Sequence, residues 1–219
     1  RVSLILLTAA FILGMPACGK NGAGSGTSTA ETIAADPIAI ALNATVSYYA
    51  SHKELEDWWQ VMALVSAGVD VQNEGYLPPP LNEEDVLTEG SVAAAAKVIM
   101  ALYAIDADPR TYFGGGDLVQ ALASQQKSNG QFGSYLNEQI YAIIALECAG
   151  GEDYDRDAAY SYLCGQSLPG GGFSYDGTTV DPDLTGMALV ALGFNKDNAA
   201  ADATAKNAIA WLAANISEN

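Results

Sequence analysis

Gln125–Gly133 reads QQKSNGQFG and Gln166–Ser174 reads QSLPGGGFS, and these two stretches decide the fold. In each, a glutamine stands seven residues before a phenylalanine, with glycine between them. Glycine permits the positive φ of a tight turn, and a phenylalanine that follows such a turn can plug the gap between neighbouring elements. Each stretch follows a segment with a clear polar face, GDLVQALASQQ (116–126) and RDAAYSYLCGQ (156–166). A helix end, a glycine turn and an aromatic plug, used twice, form a stacking device of a repeat array.

Working outward, four apolar segments carry an Ala-Leu pair: Ala63-Leu64, Ala101-Leu102, Ala145-Leu146 and Ala191-Leu192, at steps of 38, 44 and 46 residues. VAAAAKVIMALYAI (92–105), QIYAIIALECAG (139–150) and TGMALVALGF (185–194) are apolar on nearly every side, as helices buried on most faces are. The more polar segments between them, with AKNAIAWLAAN (205–215) as the last, are expected to form an outer layer around this inner set. The opening DPIAIALNATVSYYA (36–50) starts with Asp36 as N-cap and Pro37 at the first helical position.

QKSNGQFG and QSLPGGGFS resemble the QW-type repeats of the squalene cyclase and protein prenyltransferase superfamily, and DPDLTGMALVAL (181–192) resembles the segment that follows such a turn there. DPDLTGMALVAL is especially similar to exported bacterial members and to the helical domain of cobalamin carriers, and DWWQVMALVSAG (57–68) and DPRTYFGGGDLVQAL (108–122) also resemble that exported bacterial branch. The resemblance spans about residue 37 to the end. It implies an all-α fold: an α/α toroid of helical hairpins, inner helices in a ring, outer helices around them and a central cavity. The chain supplies about four hairpins, fewer than a full toroid of the family, so an array truncated at its C-terminal end is expected over residues 33–219.

The start reads differently. Val2–Ala17, VSLILLTAAFILGMPA, has the length of a signal-peptide core and stops at Cys18; GKNGAGSGTST follows with linker composition. Residues 1–18 are therefore read as a signal peptide with a lipobox-like cysteine and 19–32 as a flexible linker. The family of bacterial lipoproteins that the stretch resembles has this cysteine lipidated, which here is Cys18; an ordinary cleaved leader is the alternative. Both place the protein outside the cytoplasm, anchored to the cell membrane by lipid or extracellular. The absence of an initiator Met suggests a start slightly inside the reading frame.

Lys plus Arg number 9 against 26 Asp plus Glu, a formal charge of −17. Such a surface repels phosphate backbones and anionic head groups, which argues against nucleic acid and leaves the lipid anchor as the membrane contact. One histidine, His52, rules out a site needing two imidazoles. Cys148 and Cys164 are placed too far apart along antiparallel helices to pair, and are read as small buried core residues.

In the family, the glycine turns lead into inner-helix N-termini at the cavity mouth. The matching positions are Glu89 and Ser91, then Tyr135, Asn137 and Glu138, then Asp181, Asp183 and Thr185. Terpene cyclases that protonate an alkene use Asp-x-Asp-Asp-Thr; Asp183 falls on the acid, while Leu184 replaces its supporting Asp. By the residues alone, Asp181 before Pro182 is an N-cap and Asp183 a first-turn charge complementing the helix dipole. The zinc site of prenyltransferases needs an Asp-x-Cys whose cysteine is missing at Asp181-Pro182-Asp183, so no zinc is expected, and no 12-residue calcium loop occurs. Trp59 and Tyr141 are candidates to line the cavity. No cofactor is expected.

The function these residues predict is an exported, lipid-anchored toroid that binds a small hydrophobic or corrinoid-like ligand, or a surface protein, without catalysis. An isoprenoid cyclase or prenyltransferase-type enzyme with Asp183 as acid, and cobalamin or related cofactor capture, are the alternatives.

Overall fold

The structure, a computed structural model, describes residues 36–81, 86, 92–112 and 116–215. The leader, Cys18 and the linker lie outside the described residues, as do Glu89 and Ser91.

Asp36 opens α1 (Pro37–Ala50) as the Asp-Pro pair predicts, its Oδ1 accepting the Ile38 N–H at 3.0 Å. The apolar Ala-Leu segments become α2 (Trp58–Ser66), α3 (Val92–Ala104), α5 (Leu136–Cys148) and α7 (Pro182–Gly193). The more polar segments become α4 (Leu118–Ala123), α6 (Arg156–Gly165) and α8 (Ala199–Asn215). The described residues are all-α, with one isolated parallel bridge between Glu54 and Leu77.

The helices sort into two sets by what they touch. α2 packs on α3, α3 on α5 and α5 on α7, a row in chain order. α4 lies against α3 and α5, α6 against α5 and α8, and α8 against α6 and α7, covering that row. The Ala-Leu pairs explain it: Ala101, Leu102, Ala145, Leu146, Ala191 and Leu192 are all buried, and alanine lets neighbouring helices approach closely. α2 ends the row, so Leu64 is buried while Ala63 is exposed. α1 stands apart with no fully buried residue; only Val46 and Tyr49 touch the core.

The two glycine turns share one hydrogen-bond pattern. Lys127 N–H donates to Gln131 O and Gly130 N–H to Lys127 O; Leu168 N–H donates to Gly172 O and Gly171 N–H to Leu168 O. Gly130 (φ +87°) and Gly171 (φ +102°) need positive φ, and a Cβ at either would run into backbone, the Ala158 carbonyl of α6 or the Asn207 carbonyl of α8. Each turn is thus seated on the next covering helix. Phe132 and Phe173 behind them are fully buried. The Phe132 N–H donates to Gln139 Oε1 at 2.6 Å and the Phe173 N–H to Thr185 Oγ1 at 3.0 Å. Gln139 and Thr185 both stand four residues after the N-cap of their helix.

An arginine joins successive hairpins in the same repeated way. Arg110 Nη2 donates to the Ala149 carbonyl at the end of α5 and, with Nη1, grips Asp153. Arg156 Nη2 donates to the Phe194 carbonyl at the end of α7 and to Glu147. A cation over the last carbonyls of a helix satisfies them and complements the dipole. Cys148 and Cys164 are free and only partly buried, packed against the core rather than within it, a correction to the buried core positions expected of them. Burial pushes the Cys148 thiol up to about 11, with the Glu147 charge adding to it.

Candidate functional site

The N-terminal ends of α2, α5 and α7 are built by caps. Asp57 Oδ1 accepts the Trp59 N–H at 2.7 Å, and Gln60 Oε1 accepts the Asp57 N–H at 3.3 Å in return, a capping box at the start of α2. At α5, Glu138 Oε2 reaches back to the N–H groups of Ser134 (2.7 Å) and Tyr135 (2.9 Å). At α7, Asp181 Oδ1 accepts the Leu184 N–H at 2.8 Å and Pro182 takes the first position. Several predicted site residues are therefore engaged in structure. Asp181 and Glu138 are caps. Thr185 is buried, its hydroxyl donating to Asp181 O and accepting from Phe173 N–H. Tyr135 is the N-cap residue of α5 and points its ring into solvent, 70% exposed.

The other candidates converge. Trp59 of α2 and Tyr141 of α5 meet with ring centroids 5.3 Å apart, although α3 lies between their helices in the row. Tyr141 Oη donates to Met187 Sδ of α7 at 3.8 Å. Three inner helices thus send side chains to one face of the row. Burial pushes the Tyr141 phenol up to about 12, and the neighbouring Tyr175 adds to the shift. Tyr175 is itself raised, first by burial, then by the charges of Asp181 and Asp183. Asp183 sits one helical turn before Met187, on the same side of α7.

Trp59, Asn137 and Asp183 share a register: each is the second residue of its inner helix. Each is partly buried, and among the described residues neither the Trp59 indole N–H, the Asn137 amide nor the Asp183 carboxylate has a protein hydrogen-bond partner. The Tyr175 hydroxyl also has none. Lys97 of α3 and Lys127 are cations at this end: Lys97 is bound to Asp57 Oδ2 at 2.9 Å, and Lys127 Nζ donates to the Gly133 carbonyl in the turn before α5.

Sequence reasoning singled out Trp59, Asn137, Tyr141 and Asp183 but missed Met187, Tyr175 and the Asp57–Lys97 pair. Met187 was findable, since it follows the cap of α7 at the spacing by which Tyr141 follows that of α5. Tyr175 rides on a loop with no counterpart in the first turn. From Phe173 to its cap this turn is five residues longer than from Phe132 to Tyr135, and Asp181 N–H closes it on Phe173 O at 2.8 Å. Among the described residues, no group of three or more His, Cys, Asp and Glu side chains is placed to hold a metal ion. No described helix is long and apolar enough to cross a membrane. No protein-family model matches the chain, and neither a curated protein nor a solved structure does.

Proposed function

We propose that this protein is an exported, lipid-anchored α/α-toroid module that binds a small ligand on the inner face of its helix row and does no chemistry. One observation carries the reading: Trp59, Tyr141 and Met187, from three different inner helices, meet on one face, with uncommitted polar groups at the same helix ends. Side chains of α2 and α5 touch past the intervening α3 when the row curves toward that face, which is the curvature of a ring. A concave, mostly apolar surface with few oriented polar groups is the usual form of a small-molecule site. The lipid anchor and the export rest on Cys18 and the leader-like Val2–Ala17.

Against catalysis stands the setting of Asp183. An acid strong enough to protonate an alkene needs burial and donors that hold it in place. Asp183 is partly exposed, has no hydrogen-bond partner among the described residues, and has Leu184 where a supporting acid would stand.

The test pairs product analysis with binding of an uncharged apolar dye, N-phenyl-1-naphthylamine. The native protein is expected to bind the dye saturably, to lose it in Trp59→Leu and Tyr141→Leu, and to leave squalene and prenyl diphosphates unchanged with or without zinc. Turnover that vanishes in Asp183→Asn, with circular dichroism intact, would establish the enzyme instead. Absence of saturable dye binding would remove the ligand face.

A further inference from the structure

We infer that the ligand of this face is an organic cation with an apolar body, held by the Trp59–Tyr141 rings and by Asp183; this rests on the ligand-binding reading and specifies its chemistry.

The argument begins with which charges at this end are already spent. Asp57 is divided between the Trp59 N–H and Lys97, Glu138 between two backbone N–H groups, and Asp181 holds the Leu184 N–H. Lys97 and Asp57 cancel each other. Of the four carboxylates named here, Asp57, Glu138, Asp181 and Asp183, Asp183 alone has no hydrogen-bond or ion-pair partner among the described residues, and it stands next to Tyr175 and one turn from Met187.

The apolar part of the face selects the same sign of charge. Aromatic rings present a negative quadrupole on their faces, so Trp59, Tyr141 and Tyr175 favour a cation over an anion. A neutral apolar ligand seated on these rings would strip water from Asp183 and give it nothing in return, which is unfavourable for a charged group. An anion would meet both the carboxylate and the ring faces. An ammonium on an aryl or alkyl body satisfies all of them, with the rings covering the body and Asp183 facing the charge. The chain's charge of −17 draws such ligands in from solution.

The experiment is isothermal calorimetry on the full chain with three probes that share one ring and differ in charge: benzyltrimethylammonium, benzyl alcohol and phenylacetate. The cation is expected to bind about tenfold tighter than the alcohol, with phenylacetate weakest, and added salt is expected to narrow the gap. Asp183→Asn should bring the cation's affinity down to the alcohol's and let the alcohol bind at least as tightly as to the native protein, because the desolvated charge is gone, while Trp59→Leu should weaken both. Equal binding of cation and alcohol, or a cation affinity untouched by Asp183→Asn in a folded variant, overturns the inference and leaves the ligand face standing. No saturable binding of any of the three also overturns it, and the ligand face is then judged on the uncharged dye alone.

Discussion

Asp181 and Asp183, two residues apart at the head of α7, show how differently one residue type can be used. Asp181 Oδ1 holds the Leu184 N–H, while Asp183 makes no hydrogen bond among the described residues and contributes its charge to the first turn. Asp181→Ala is expected to cost about 0.5–2 kcal/mol, because an orphan N–H at the helix start loses its acceptor. Asp183→Asn should cost only about 0.3–1 kcal/mol, the value of a charge complementing the dipole. Urea unfolding of the two variants checks the order, and a larger loss at Asp183 would mean that it supports the fold. Both aspartates were legible in the sequence because capping is local: Asp-Pro at a helix start can be read without knowing what surrounds it. The partial burial of Asp183 and its nearness to Tyr175 were not legible, because they depend on how a five-residue-longer loop folds back.

Between elements, the repeated contact is an arginine at the end of the next inner helix. Arg110 grips Asp153 through both Nη atoms, at 3.1 and 2.6 Å, and donates to Ala149 O at 3.4 Å, tying the start of one hairpin to the end of α5. The guanidinium holds the Asp153 carboxyl below its ordinary value, the hydrogen bond counting most. A carboxylate with a depressed folded pKa adds stability above its unfolded pKa and loses it as pH falls through the folded one. Native protein should therefore be more stable than Asp153→Asn by a constant margin above about pH 4, and the margin should shrink as the pH drops further. Denaturant midpoints of both proteins between neutral pH and pH 2 measure it, and a margin unchanged in acid would count against the ion pair. The buried Ala-Leu pairs announced the helices of the row because a helix buried on most faces must be apolar all round. Arg110 and Arg156 recur near the same repeat step, yet their partners became visible only once the ends of α5 and α7 lay beside them. The Trp59–Tyr141 contact was hidden for a related reason: the composition of α2 and α5 says each is buried on most faces, and nothing in it says that their rings meet past α3.

At the scale of the whole molecule, a row of hairpins predicts that stability is a sum of neighbour contacts and that each end is worth what it covers. The two ends differ sharply. α1 has no fully buried residue and leaves Ile38 and Ile40 more than half exposed, so a chain beginning at His52 has little core to lose. α8 covers the other end: Ala201 and Ala208 are fully buried, and the Asn207 backbone is where the Gly171 turn is seated, in front of the buried Phe173. Ending the chain before Ala199 removes that seat and uncovers the flank of α7. Deleting residues 1–51 is expected to cost under about 1 kcal/mol, in line with two partly buried contacts at Val46 and Tyr49. Removing α8 should cost more than about 3 kcal/mol, since Phe173 loses much of its enclosure along with the buried alanines. Urea midpoints and m-values separate the two, with the m-value falling clearly in the chain that lacks α8. A loss on deleting α1 as large as that on deleting α8 would mean that α1 covers the Ala63 side of α2 in solution, and the row would then continue past its first inner helix.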